Sequence, residues 1–274
     1  MNKNILEVKN LNVYFREKNN NIKIIDDVSF SIKEGECLGI LGESGSGKSM
    51  TIKSILRLLD NNFRVEGEAL FNNIDLIKES SGNIRKLRGN KICMILQNPM
   101  TCFDPLYRIY NQMQETFLEH TDLNKKQIYQ KCIDTLNIMK IRNPEDTIKK
   151  YPHQLSGGML QRIMIGLALS LNPQLLIADE PTTAIDSISQ NTIMNEFLRI
   201  KKENKVSMLF ISHDLGILSK ISNKMIVMKK GRILENAFVK DIIFNSKDEY
   251  TTSLVLKRMS VMKKFNEIVY GDAI

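Results

Sequence analysis

The chain carries 39 Lys and Arg against 31 Asp and Glu over 274 residues, a formal net charge of +8 at pH 7. That length holds one large domain, or a core with a subdomain and a tail, and the basic excess reads first as a solvated surface, then as attraction to an anionic membrane face or to nucleic acid. No apolar run approaches the ~18 residues that cross a bilayer, and no signal peptide precedes the alternating pattern that begins at Ile5. Cys37, Cys93, Cys102 and Cys132 form no Cys-x-x-Cys pair, so they read as small buried or half-buried side chains in a reducing, cytosolic compartment rather than as metal ligands or disulfides.

Up to about residue 36 the chain alternates as short strands, for example Val28-Ser29-Phe30-Ser31-Ile32, with turn-rich Asn and Lys between them. Cys37–Leu41 reads as a buried central strand. After it, Gly42-Glu43-Ser44-Gly45-Ser46-Gly47-Lys48-Ser49 fits G-x-x-x-x-G-K-[ST] in full, ahead of a helix from Ser49 to Leu59 with Ile52, Ile55, Leu56 and Leu59 on one face. The glycines let successive N–H groups face a β-phosphate, Lys48 brings a mobile positive charge to the β- and γ-phosphates, and the Ser49 hydroxyl is placed to ligate Mg²⁺. A strand over residues 91–96 closes on Gln97, whose amide can touch Mg²⁺ or the attacking water.

From about Asn111 to Tyr151 the segments are polar and helical without strand signals, a helical subdomain inserted in an α/β core. Leu155-Ser156-Gly157-Gly158-Met159-Leu160-Gln161-Arg162 then presents a Ser-Gly-Gly turn opening a helix, with N–H groups and a positive dipole end offered to an anion. One nucleotide does not need two glycine loops from the same chain, so Ser156, Gly157 and Gly158 are expected to serve a nucleotide held by another subunit. A strand over 174–178 ends in Asp179-Glu180. Asp179 is expected to hold Mg²⁺ through water, and Glu180 to polarise the water that attacks the γ-phosphate. A helix over about 187–203 follows, then a strand over 206–211 running to His213, whose place beside the nucleotide suits a γ-phosphate contact. A short helix, a strand over 225–228, a turn at Gly231 and a mixed tail from about Val239 complete the chain.

Together these residues resemble the ATP-binding-cassette ATPases over residues 5–235, in that family's order: phosphate loop, Gln loop at Gln97, signature at Ser156-Gly157-Gly158, acidic strand, D-loop at Ala184-Ile185-Asp186 and switch His213. The resemblance implies an α/β fold: a P-loop NTPase (RecA-like) core with an N-terminal antiparallel β-subdomain, an α-helical subdomain inserted at about 98–165, and a tail over 236–274. It implies ATP and Mg²⁺ as cofactors. Phe15, ahead of Tyr14, is the aromatic that stacks on adenine, and Gly42, Glu43, Ser44, Gly45, Ser46, Gly47, Lys48, Ser49 and Met50 hold the phosphates. Ser156, Gly157, Gly158 and Asp186 complete nucleotide binding. Ser49, Gln97 and Asp179 attend the metal, and Glu180, His213 and Gln97 act in catalysis.

Gln97-Asn98-Pro99-Met100, Phe103-Asp104-Pro105, Tyr151-Pro152-His153-Gln154-Leu155 and Asp179-Glu180-Pro181-Thr182-Thr183 are similar to the peptide/nickel class of bacterial importers. Peptide members of that class usually carry Arg after the signature Met; Met159-Leu160 is more similar to the D-type ATPase of nickel and metallophore-metal importers. The lack of Cys after Cys132 and the segment Phe265–Asp272 point the same way. Ile185 replaces the usual D-loop Leu, and Asn245–Tyr250 only loosely follows the class's Asn-Pro-x-His-x-Tyr segment. The class implies a second ABC ATPase subunit in a heterodimer, two integral-membrane permease subunits, an extracellular or periplasmic substrate-binding protein, and a peripheral position on the cytoplasmic membrane face. An oligopeptide or dipeptide importer is the alternative. A soluble DNA-repair or translation ATPase is disfavoured, because the span from Lys48 to Asp179 has neither heptads nor Cys clusters, so no nucleic-acid partner is expected.

Overall fold

In the computed structural model, which describes residues 3–17, 20–182, 187–204 and 206–270, two 14-residue strands, Asn4–Glu17 and Asn20–Lys33, stand where the sequence reads as several short ones. The apparent breaks are bulges. Buried Leu6 and Val8 alternate, then the inward phase steps by three to Leu11 and Val13, at a register shift where Asn10 takes φ +48°. Asp27 on the other strand takes φ +53°, and Asn10 Nδ2 donates to its Oδ1 at 2.8 Å. The bulge keeps the apolar set on one face, where a plain one-residue slip would turn it to solvent.

The chain divides into two units, Met1–Ile84 with Ser207–Ile274, and Arg85–Val206. In the first, Asn4–Glu17 pairs antiparallel with Asn20–Lys33 on one side and with Phe63–Phe71 on the other, and Ile74–Asp75 pairs with the end of Phe63–Phe71. The same unit holds a largely parallel run in which Cys37–Leu41 lies between Ser207–Ile211 and Lys224–Lys229, with Arg232–Phe238 antiparallel at the outside. Every residue of Cys37–Leu41 and of Ser207–Ile211 is buried. Such continuous burial is expected of parallel strands covered on both faces. The helix Lys48–Ile55 is shorter than its apolar spacing predicts, because Arg57 turns into the left-handed region at φ +52°.

In the second unit Ile92–Ile95 pairs parallel with Leu175–Asp179, with Ile95 opposite Ala178. Helices Ile109–His120, Lys125–Ile138 and Gly157–Ser170 bury Met113 and Phe117, Cys132 and Leu136, and Leu160 and Ile163 at helical spacing. Asn124 caps the second of these in a capping box with Gln127. The tail is helical, Val239–Phe244 and Glu249–Tyr270. No helix among the described residues is long and apolar enough to cross a membrane.

Three cysteines behave as the sequence suggests and one does not. Cys37, Cys93 and Cys132 are buried, and burial pushes the Cys93 and Cys132 thiols up to about 12. Cys102 is exposed, and the partial enclosure of its sulfur holds its thiol above the ordinary range. A thiol reagent should therefore label Cys102 alone in the native protein and all four cysteines after unfolding. Because the thiolate is the nucleophile, the native reaction should keep accelerating as pH rises past the usual thiol range. Mass spectrometry of maleimide-labelled protein across a pH series checks both, and fast native labelling of Cys93 or Cys132 contradicts the packing.

Candidate functional site

The first unit carries the phosphate loop and the residues around it. Strand Cys37–Leu41 leads into Gly42, and the parallel strand Ser207–Ile211 leads to His213, so both segments leave the carboxyl ends of neighbouring parallel strands. That edge is where open α/β sheets bind ligands. Lys48 is buried, and its ammonium donates to Gly42 O at 2.9 Å and Glu43 O at 2.8 Å. Gly45 and Gly47 take φ +78° and +105°. Gly47 opens the helix Lys48–Ile55, whose first residues include Ser49 and Met50, both half-buried. Glu43 and Ser44 are exposed, and Ser46 Oγ is buried without a hydrogen bond among the described residues. Exposed His213 lies just before Asp214, which caps helix Leu215–Ile221 by accepting from Gly216 N at 2.7 Å and Ile217 N at 3.2 Å. Phe15, half-buried on the antiparallel sheet, rests against Phe63 with centroids 5.1 Å apart.

The second unit carries the acidic residues. Strand Leu175–Asp179 ends on the buried Asp179 carboxylate, and half-buried Glu180 follows in the left-handed region at φ +46°. With Ile95 opposite Ala178, two further steps along each parallel strand bring Gln97 beside Glu180, and Gln97 Nε2 donates to Glu180 Oε2 at 3.2 Å. Ser156 caps the helix Gly157–Ser170 by accepting from Met159 N at 3.2 Å, with Ser156 exposed and Gly157 and Gly158 half-buried. Asp186, with Ala184 and Ile185, lies outside the described residues.

Two residues near these groups escaped the sequence reading. Gln161, fully buried in the helix Gly157–Ser170, donates through Nε2 to Pro181 O at 2.9 Å and reaches Leu96 O at 3.5 Å. The available signal was a lone amide among buried Leu160, Ile163 and Met164. Tyr250, in the tail helix, has a buried hydroxyl and the Lys229 ammonium 4.1 Å from its ring centroid. Burial first, and then the neighbouring Glu43 carboxylate of the phosphate loop, hold its ionisation above the ordinary tyrosine value. Nothing short of the fold connects residue 250 with residue 43.

Each unit by itself offers groups of a kind that a metal-bound nucleotide takes. Left-handed glycines, an orphaned buried hydroxyl on Ser46 and an ammonium resting on its own loop's carbonyls are what a polyphosphate can satisfy. A buried carboxylate at a strand end and a serine hydroxyl at a helix start are hard oxygen donors of the kind Mg²⁺ takes.

The sequence model of the ABC transporter family matches residues 25–183. The metal-staphylopine import system ATP-binding protein of Staphylococcus aureus is 39% identical over 249 residues, 91% of this chain and 92% of that protein. The dipeptide transport ATP-binding protein of Haemophilus influenzae is 42% identical over 252 residues, 92% of this chain and 76% of its own length. Among solved structures, a dimeric ATP-binding cassette in a post-hydrolysis state with ADP and phosphate is 25% identical, with a TM-score of 0.77 over 85% of this chain and 98% of its own.

A Cβ at Gly47 would lie 2.7 Å from Ile25 Cδ1, on a backbone at φ +105°. Gly47→Ala therefore has to relax the loop and is expected to weaken ATP binding about tenfold, the equivalent of ~1–2 kcal/mol of backbone strain. Equilibrium nucleotide titration of the purified chain measures it, and unchanged affinity would show that the left-handed loop is dispensable.

Proposed function

The chain belongs to the ABC transporter family as an importer's ATP-hydrolysing subunit working with ATP and Mg²⁺, and we propose that its importer takes up nickel, cobalt or a metallophore-bound metal. The observation that carries the cargo is the end-to-end similarity to the metal-staphylopine ATPase, over 91% of this chain and 92% of that protein, together with the Met159-Leu160 spelling. An oligopeptide or dipeptide importer is the second reading, favoured by the 42% identity to the dipeptide ATPase.

The proposed roles follow from the chemistry of each group. On ATP binding, Lys48 exchanges its two carbonyl partners for the β- and γ-phosphates, and the loop N–H groups from Gly42 to Met50 take the remaining charge. Phe15 stacks on the adenine. Ser49, Asp179 and Gln97 would hold Mg²⁺, which when bound neutralises phosphate charge. Glu180 orients and deprotonates the attacking water, and His213 donates to a γ-phosphate oxygen. Ser156, Gly157 and Gly158 face the ATP of a second, different ATPase subunit, so each site needs two chains. ATP then favours the closed pair and hydrolysis reopens it. Two permease subunits and a substrate-binding protein complete the importer at the cytoplasmic membrane face, with the segment after Gln97 taking the permease contact. Exposed Met100, Leu106 and Tyr107 give that segment an apolar surface.

Glu180→Gln should bind ATP as the parent does and lose turnover by ~10³-fold or more, since the isosteric amide cannot take the proton. Paired nucleotide titration and phosphate-release assays separate the two quantities, and sustained hydrolysis by this variant removes Glu180 as the base. A strain lacking this gene should lose uptake of radiolabelled nickel or cobalt, supplied with and without a metallophore, while keeping labelled dipeptide uptake. The opposite pattern assigns the peptide reading.

A further inference from the structure

The helix that begins at the signature is tied to the pair Gln97 and Glu180 by one side chain. Gln161 sits one turn into Gly157–Ser170 and is fully buried. Its amide group donates to Pro181 O, the carbonyl of the residue after Glu180, at 2.9 Å, and points toward Leu96 O, the carbonyl of the residue before Gln97, at 3.5 Å. Gln97 and Glu180 touch each other at 3.2 Å. The contacts therefore close a ring: Gln161 to Pro181, Glu180 to Gln97, and Leu96 back to Gln161.

Chemistry fixes the orientation of the amide. Both backbone partners are carbonyls that can only accept, so the NH₂ end must face them and the oxygen must face away. That oxygen, Gln161 Oε1, is buried and has no hydrogen-bond partner among the described residues. An apolar residue of the same volume would leave no such group unsatisfied. The amide's other end is accordingly the informative one.

We propose that Gln161 is a positioning residue that makes the signature helix, Gln97 and Glu180 move as one body. A shift of the helix drags the Pro181 and Leu96 carbonyls, and with them the two side chains that attend the water and the metal. The proposal rests on the proposed function in one respect: the Ser156 end of this helix reads the ATP of the partner subunit, so Gln161 passes the state of that ATP to this chain's own Glu180.

The test uses the assembled importer in proteoliposomes, with ATP affinity and thermal unfolding measured on the full purified chain. Gln161→Met keeps the volume and removes the donor. It is expected to lower kcat about tenfold or more, with KM for ATP within about twofold and ATP affinity of the chain unchanged. Gln161→Glu supplies the discriminating readout. As a buried carboxylic acid it has a raised pKa and donates to Pro181 O only when protonated. Its kcat relative to the parent should therefore recover several-fold as pH falls from about 8.5 to about 6. A structural role in packing would leave Gln161→Met nearly active and give Gln161→Glu no such recovery, and either result overturns the proposal. If Gln161→Met fails to fold, the pH profile of Gln161→Glu still decides. Ser156→Arg separates the underlying reading. If it leaves importer turnover intact, the signature does not serve a partner's ATP, whereas the Gln161 results still stand or fall on their own.

Discussion

The parallel pairing of Ile92–Ile95 with Leu175–Asp179 is the constraint on which the placement of Gln97, Asp179 and Glu180 depends. Parallel strands release their following residues at one common edge, so side chains far apart in sequence arrive side by side. Register then sets which ones meet. With Ile95 opposite Ala178, Gln97 arrives at Glu180, while Asp179 stays buried at the strand end. A one-residue slip would turn alternate side chains to the opposite faces and break the contact. The same logic places the phosphate loop and His213 at the carboxyl ends of two adjacent parallel strands of the other unit.

The buried cation of the first unit is handled within its own loop. Burying an ammonium without partners costs several kcal/mol, which explains why Lys48 rests on Gly42 O and Glu43 O. Those carbonyls belong to the lysine's own loop, so the loop is closed upon its own cation. A polyphosphate offers an ammonium stronger, charge-assisted partners than these carbonyls do. Tyr250 adds a neighbour to this loop from the tail, with its hydroxyl beside Glu43 and Lys229 over its ring.

Much of this was legible in the sequence because phosphate and water chemistry demand consecutive residues. The loop from Gly42 to Ser49 is one such run, and the strand ending in Asp179-Glu180 is another. The signature was legible for the same reason, since Ser156 caps the very helix it opens. What escaped were contacts made by tertiary placement. Gln161 meets Leu96 and Pro181 across sequence separations of 65 and 20 residues, and its own neighbours look like the buried face of any helix. The long strands of the antiparallel sheet were misread for a local reason. Asn10 and Asp27 carry the turn signal, yet here a pair of left-handed residues makes a bulge, and the ladder continues through it.

Glu180 sits where these constraints converge. A glutamate at φ +46° costs on the order of 1 kcal/mol relative to an ordinary backbone conformation, and such outliers persist only where the surroundings over-determine them. Here the surroundings are identifiable. The strand Leu175–Asp179 fixes the residue before it, Gln161 holds the carbonyl of the residue after it, and Gln97 holds its carboxylate. The carboxylate is thus engaged by a side chain that arrives from the neighbouring parallel strand.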